Sequence, residues 1–147
     1  MNDATNKKAA KDRLSGEDYQ LLAAFRKTLR EFLHFSEEAA VEAGVTPKQH
    51  QAMLLIRGTL GDQSVIIRDL AQHLHIKHQS AVGLFNRMEK ADLILKEHDP
   101  ADRRRIFLRL TRRGEHLLAG LSSAHKSELK RIGPTLDVIL KKIRQAS

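Results

Sequence analysis

The chain has 147 residues, enough for one domain with its own core, and carries a formal charge of +8 with a pI near 10.0. It contains no cysteine, which excludes disulfides, cysteine-type zinc sites and thiol redox sensing. No segment resembles a signal peptide or a membrane span, so we expect a cytoplasmic protein with no membrane partner.

The first predicted element is a long helix over residues 15–44, preceded by a polar segment that we expect to be a disordered tail, residues 1–14. Ser15 is suited to cap the start of this helix, and Gly44 to end it. The helix is predicted from apolar residues at spacings of three and four. They are Leu22, Phe25, Leu29, Phe32, Leu33, Ala39, Ala40 and Ala43.

A second helix is predicted to begin at Thr46, with Pro47 in its first turn and Gln49 completing a capping box. Gly58 and Gly61 bracket its predicted end. The next segment, "SVIIRDLAQHLHI", predicts a very short strand over residues 65–67 that runs into a helix of one to two turns.

The segment "KHQSAVGLFNRMEKADLI" predicts another helix with one apolar and one polar face. The residues expected to face inward are Ala81, Leu84, Phe85 and Met88. Those expected outward or to the side are Gln79, Ser80, Gly83, Asn86 and Arg87. Two short helices joined by a tight connection are typical of a helix-turn-helix, although a small helical bundle is the alternative.

A basic hairpin follows and decides between these alternatives. "LILKEH" is strand-like, "DPAD" has turn chemistry, and in "RIFLRL" the apolar Ile106, Leu108 and Leu110 alternate with Arg105, Phe107 and Arg109. Residues 103–113 hold six arginines. A basic two-stranded ribbon directly after a helix-turn-helix is the order of elements in a winged helix.

The remainder is predicted to be helical after Thr111, a cap candidate, with a break or kink at Gly133–Pro134. The apolar stripes of these helices and of the first helix exceed what a winged-helix core needs. We therefore expect a mainly α (α+β) protein. Its winged helix-turn-helix lobe would span residues 45–110, and its dimerisation region residues 15–44 and 111–147. A larger intramolecular bundle is the alternative to a dimer.

Three motifs, "TPKQHQAMLLI", "LAQHLHIKHQSAVGLFNRMEKADLI" and "DPADRRRIFLRLTRRGEHLL", resemble the MarR (multiple antibiotic resistance regulator) family of bacterial transcription regulators. The resemblance covers residues 17–143. It implies an obligate homodimer, a recognition helix over residues 77–91 and a wing at the minor groove of double-stranded DNA. Asp102 and Arg104 match the family's Asp-x-Arg positions.

Base contacts are expected from the recognition helix, and minor-groove contacts mainly from Arg103 and Arg104, with Asp102 as wing support. The predicted DNA-binding residues are His78, Gln79, Ser80, Gly83, Arg87, Arg103, Arg104 and Arg105. Gly83 could allow close approach to DNA or could be a tolerated helical glycine. Arg87 could contact DNA or form an ion pair with Glu89 or Asp69.

The resemblance also suggests a small aromatic or anionic effector. Candidate walls of its pocket are Phe32, His34, Phe35, His50 and Met53. The alternative is that Phe32, Phe35 and Met53 are ordinary core residues. Eight histidines without a His-x-x-x-His pair give no recognisable metal site, although separate elements could assemble one. We expect no cofactor.

The sequence thus predicts a sequence-specific dimeric regulator, a repressor, that binds a pseudo-palindromic operator and responds to a small-molecule effector. An enzyme is not expected, because the sequence holds no glycine-rich phosphate loop, nucleophile elbow or helically spaced histidine–carboxylate pair. The alternative function is a winged-helix module that binds DNA backbone, RNA or a protein partner without sequence readout.

Overall fold

The structure is a computed structural model that describes residues 14–59 and 64–146. The predicted tail up to residue 13 and the predicted helix stop at Gly61 lie outside the described residues. The fold is mainly helical with a two-stranded sheet, as the sequence predicts. The elements in chain order are α1 (Gly16–Glu42), α2 (Pro47–Gly58), α3 (Ile67–Leu74), α4 (His78–Lys90), β1 (Ile94–His98), β2 (Ile106–Leu110) and α5 (Arg112–Gln145).

The chain forms two compact units. One, the helical unit, comprises the described residues up to His34 and those from Ser127 onward; its buried side chains are Leu21, Thr28, Ile132 and Ile139. The other, the winged-helix unit, comprises the described residues of Phe35–Lys126.

Helix α1 begins and ends at the residues that the sequence indicates. The Asp18 carboxylate accepts the Ser15 N–H (2.6 Å), and Ser15 Oγ accepts the Asp18 N–H (3.2 Å), so Ser15 caps the first turn. After the last turn, Gly44 has a φ of +84°, and the Val45 N–H donates to the Ala40 carbonyl (3.0 Å). This backbone conformation favours glycine and stops the helix.

Helix α2 starts with the predicted capping box, in which Thr46 Oγ1 accepts the Gln49 N–H (3.1 Å) and Gln49 Oε1 accepts the Thr46 N–H (3.1 Å). The predicted strand over residues 65–67 is wrong. Residues 64–66 form no strand, and Ile67 already begins α3. The Val65 carbonyl accepts one backbone hydrogen bond from Leu108 (2.8 Å), but the Ile66 N–H donates to the Asp69 carboxylate (3.0 Å) and thereby caps α3 instead of extending a strand ladder.

The core of the winged-helix unit is built from the inner faces of its helices and of the hairpin. The predicted inward face of α4 is confirmed, because Ala81, Leu84, Phe85 and Met88 are all buried. The turn between α3 and α4 contains His75 at a φ of +52°. The other members of the core are Ala40, Val45, Ala52, Met53, Val65, Leu70, Leu93, Ile94, Leu108, Leu118 and Leu121.

Strands β1 and β2 pair antiparallel, from Ile94 opposite Leu110 to His98 opposite Ile106. Leu108 is fully buried, and Leu110 packs against the core from its edge. Arg105 is exposed, but the residues of β2 on either side of Leu108 are all half-buried, so the predicted alternation is seen only in part. The hairpin forms the wing.

Helix α5 is one continuous helix of 34 residues, so the chain does not break at Gly133–Pro134, where the sequence predicts a break or a kink. Thr111 starts it as predicted, because Thr111 Oγ1 accepts the Gly114 N–H (2.9 Å). Pro134 removes a single amide from the helix, and the many hydrogen bonds and the apolar positions on either side are enough to keep the helix intact.

Candidate nucleic-acid interface

The outer face of α4 carries the polar side chains that the sequence singles out. His78, Gln79, Ser80 and Arg87 are exposed, and Gly83 is half-buried. Four buried residues of α4 lie on the opposite side of the helix, so this outer face is turned away from the core.

Helical spacing adds residues to this face that are not among the predicted DNA contacts. Counting three or four residues onward from Gln79 reaches Val82, Gly83, Asn86 and Lys90. Val82, Asn86 and Lys90 are exposed. The signal was present in the sequence, because the positions farthest from Ala81, Leu84, Phe85 and Met88 are Gln79, Gly83, Asn86 and Lys90.

Arg87 lies against Gly83. A Cβ atom built on Gly83 would be 3.3 Å from Nη1 of Arg87. Within residues 14–59 and 64–146 the Arg87 guanidinium forms no ion pair, so the structure does not contain the pairing with Glu89 or Asp69 that the sequence left open. The Asp69 carboxylate accepts a backbone N–H at the start of α3 instead.

The tip of the wing is shaped by two aspartates. Asp102 Oδ1 accepts the Arg104 N–H (3.1 Å), and the Asp102 carbonyl accepts the Arg105 N–H (2.9 Å). Asp99 Oδ1 accepts the Ala101 N–H (2.8 Å) in the same turn. Asp102 therefore acts on the backbone of the arginine segment, and this contact supports its assignment as a wing-supporting residue.

The wing arginines differ in how they are held. Arg103, Arg104 and Arg105 are exposed, and the Arg105 guanidinium lies 5.7 Å from the centre of the Phe107 ring. Arg109 lies 5.4 Å from the same ring and is also tied to Glu97 Oε2 (2.7 Å) and Ser64 Oγ (3.0 Å). Arg109 is thus compensated by an acid within the hairpin, and the excess positive charge is at the tip.

The candidate effector residues fall in both units, and in the winged-helix unit Phe35 and His50 both contact the His125 ring. The His50 and His125 rings lie 4.7 Å apart, and Phe35 contacts His125 edge-on at 5.5 Å. His125 Nδ1 lies 2.6 Å from the Leu121 carbonyl, and its Nε2 lies 2.7 Å from Ser36 Oγ. Since a carbonyl only accepts, Nδ1 donates to Leu121, and a second hydrogen bond joins Nε2 to the Ser36 hydroxyl.

His50 is only 5% exposed. This burial lowers the pKa of His50 below its usual value of 6.5, and the charge of the neighbouring His125 lowers it further as a smaller cause. Met53 is fully buried within the hydrophobic core, which supports the alternative that it is a packing residue. Phe32 and His34 belong to the helical unit, where Phe32 is half-buried and His34 exposed.

The described residues contain no group of three or more histidine, aspartate or glutamate side chains placed to hold a metal ion. None of the helices over residues 14–59 and 64–146 is both long enough and apolar enough to cross a membrane.

Comparison with known proteins gives matches to bacterial transcription regulators. The family model described as MarR family matches residues 43–105, which include the helix-turn-helix and the first part of the wing. The repressor MdtR of Bacillus subtilis (strain 168) is 30% identical over 117 residues, covering 77% of this chain and 71% of MdtR. The regulator HosA of Escherichia coli O111:H- is 58% identical over 75 residues, covering 51% of this chain and 53% of HosA. The matched part thus spans about half the length of HosA, and about half that of a third curated relative, the regulator FarR of Neisseria gonorrhoeae.

Solved structures of such regulators share the fold. A mutant of Staphylococcus aureus MepR bound to an oligodeoxyribonucleotide superimposes with a TM-score of 0.68 at 18% identity, covering 91% of this chain and 99% of MepR. CouR from Rhodococcus jostii RHA1, bound to p-coumaroyl-CoA, gives a TM-score of 0.66 at 20% identity, covering 82% of this chain and 83% of CouR. The family model, the extent of the match to MdtR and the winged helix-turn-helix agree, and the chain belongs to the MarR family of transcriptional regulators.

Proposed function

We propose that the protein is a homodimeric, sequence-specific DNA-binding repressor that responds to a small-molecule effector. The observation that carries the proposal is the polar outer face of α4, which lies opposite the buried face and belongs to the same unit as the arginine-rich wing tip. A polar helix face and a basic hairpin are the two surfaces that a winged helix uses on double-stranded DNA.

Helix α4 would enter the major groove and supply the base contacts. Gln79 can donate to and accept from adenine, and Ser80 can bond several bases. His78, at the first position of the helix, would contact a base or a phosphate. Because Gly83 has no side chain, the middle of this face would allow α4 to approach the floor of the groove closely.

The wing would contact the adjacent minor groove. Arg103 and Arg104 project from the turn that Asp102 holds by hydrogen bonding to the backbone of Arg104, and Arg105 follows at the base of the turn. A narrow A/T-rich minor groove has an enhanced negative potential that attracts arginine. The wing should therefore favour A/T-rich flanks without reading individual base pairs.

Dimerisation would use the helical unit, since large apolar residues remain exposed there. On α1, Tyr19, Leu22, Leu29 and Leu33 follow one another at spacings of three, seven and four and so share one side of the helix. Leu129, Val138 and Leu140 are also exposed on α5. A two-fold dimer would read an inverted repeat with half-sites about 34 Å apart.

Effector control is supported by the family and by the ligand in CouR, which is an aromatic acyl-CoA. We propose a small aromatic or anionic effector for this chain, with Phe32, His34, Phe35, His50 and Met53 as candidate contacts. Such a ligand changes DNA affinity only if it binds better to one arrangement of the dimer than to another. Repression, rather than activation, is supported by the match to the repressor MdtR.

Selection from a random DNA duplex pool at about 150 mM salt tests this function. We expect an inverted repeat with A/T-rich flanks, and Arg104→Ala should lose the flank preference while keeping the central motif. If about six phosphates are neutralised, the log–log slope of affinity against salt should be near −5. Retention of duplexes without a common motif would favour the alternative, a winged-helix module that binds DNA backbone, RNA or a protein partner.

A further inference from the structure

Arg87 places its guanidinium one helical turn before its own backbone position. It comes nine residues after the first residue of α4, yet its guanidinium reaches back one turn to Gly83. Long helical side chains lean toward the helix N-terminus, and Gly83 leaves the space that a side chain would occupy. The guanidinium therefore lies near the middle of the outer face, at the level of Gly83.

The charge of Arg87 is not compensated within the described part of the chain. Two arginines of the winged-helix unit form ion pairs, Arg109 with Glu97 (2.7 Å) and Arg57 with Glu115 (3.2 Å). Arg87 has neither an ion pair nor a hydrogen-bonding carboxylate among residues 14–59 and 64–146. The planar guanidinium of Arg87, without a carboxylate partner among these residues, thus lies on the same face of α4 as Gln79 and Asn86.

We propose that Arg87 reads a guanine in each half-site of the operator, its guanidinium donating two hydrogen bonds to O6 and N7 of the base across the backbone of Gly83. This inference rests on the proposed function and adds the identity of one base pair to it. The two N–H groups of a guanidinium match the two acceptors of guanine in the major groove. A phosphate contact would instead be expected from a side chain at the edge of the face, because the phosphates line the groove on either side of the helix.

The absence of a side chain at Gly83 serves this contact in two ways. It leaves room for the Arg87 guanidinium, which would need to shift by a few tenths of an ångström to admit a Cβ. It also lowers the helix surface at the centre of the face, so the bases can approach the arginine. Gly83 is then a positioning residue for Arg87.

The test compares the wild-type protein with Arg87→Ala and with Arg113→Ala, which removes one exposed arginine at the start of α5. Each protein is given the random duplex pool, and its binding to the four base-pair variants at every position of the selected motif is then measured. We expect the wild-type half-site to contain a guanine whose replacement weakens binding by about tenfold. In Arg87→Ala that preference should fall below about threefold, while the other positions keep theirs. Arg113→Ala should keep the wild-type preferences at every position.

The outcomes separate this inference from the function on which it rests. If the wild-type protein selects a motif and Arg87→Ala weakens all duplexes by one common factor with every preference retained, Arg87 contacts phosphate and the guanine assignment is wrong. An unchanged affinity and motif in Arg87→Ala would also overturn it. If the wild-type protein selects no motif at all, the proposed function itself fails.

Discussion

Gly114 shows how a single position can tie the wing to the last helix. It is buried in the first turn of α5, next to Thr111, whose N–H donates to the Leu93 carbonyl (3.0 Å) and whose hydroxyl donates to the Asp92 carbonyl (2.6 Å). A Cβ at Gly114 would overlap the Leu93 carbonyl oxygen and lie 3.1 Å from its carbon. The neighbour is backbone, so it cannot move aside as a flexible side chain could.

We therefore expect Gly114→Ala to lower the free energy of unfolding by about 2 kcal/mol or more, because the chain before β1 must shift. The matched control is Gly120→Ala in the same helix, where a Cβ meets nothing within 4 Å. That change should raise stability by about 0.5–1 kcal/mol, since alanine favours the helix. Urea denaturation of both variants checks the pair. If the two substitutions changed the free energy of unfolding equally, the close approach of Gly114 to the Leu93 backbone would not explain the effect of Gly114→Ala.

His50 makes the stability of the winged-helix unit depend on pH. Burial, together with the nearby His125, lowers the pKa of His50 in the folded protein, so the unfolded chain binds the proton more readily. The stabilisation is complete above the unfolded value of about 6.5 and is lost as the pH falls through 6.5 toward the lower folded pKa.

The comparison is the loss of stability between pH 7.5 and pH 5.5, measured by urea midpoints. His50→Gln removes the titrating group, so this variant should lose less stability on acidification than the wild-type protein. His73→Gln, which changes an exposed histidine on α3, should behave as the wild-type protein does. A loss in His50→Gln as large as that of the wild-type protein would show that His50 does not contribute to the pH dependence.

At the scale of elements, the features that the sequence predicted correctly depend on local chemistry. The caps at Ser15, Thr46 and Thr111 and the stop at Gly44 each use a side chain or a backbone conformation within a few residues. The buried face of α4 follows from a period of 3.6 residues, and the wing from two strand-like segments separated by turn residues. These signals need no knowledge of the rest of the fold.

The elements that differ from the prediction are those in which a local sequence pattern competes with hydrogen bonds and packing from the neighbouring residues. Val65 and Ile66 have strand-like side chains, but Asp69, three residues farther on, takes the Ile66 amide for the cap of α3. Gly133–Pro134 predicts a break or a kink, and α5 continues through it without a break from Arg112 to Gln145. In each case the outcome depends on the sum of several hydrogen bonds and packing contacts, which a local pattern does not reveal.

Of the candidate interface, the sequence predicts which residues are exposed but not which side chains contact one another. The outer face of α4 and the arginines of the wing are readable from spacing and charge. The contact of Arg87 with Gly83 and the pairing of Arg109 with Glu97 and Ser64 required side-chain positions. Glu97 and Arg109 are 12 residues apart in sequence and become neighbours only through the register of the hairpin. Spacing therefore indicated which residues are exposed, and the structure indicated which charges are compensated.

The whole molecule raises the question of how the apolar surface of the helical unit is covered. Leu22 is 49% exposed on α1 in the same stripe as Leu29 and Leu33. Leu54 is equally exposed, at 49%, but belongs to α2 of the winged-helix unit. The two leucines therefore provide a matched pair, with similar exposure in the isolated chain and different predicted surroundings in a dimer.

We expect Leu22→Asp to shift the protein from dimer to monomer at micromolar concentration and Leu54→Asp to leave it dimeric, as measured by sedimentation velocity. A carboxylate forced into an apolar interface is costly, and a two-fold interface contains the substitution twice. Because each monomer would reach only one half-site, Leu22→Asp should also weaken binding to the inverted repeat far more than Leu54→Asp does. A fully dimeric Leu22→Asp with unchanged DNA affinity would mean that the α1 stripe is not the dimer interface. Dissociation by Leu54→Asp alone would place that interface on the winged-helix unit instead.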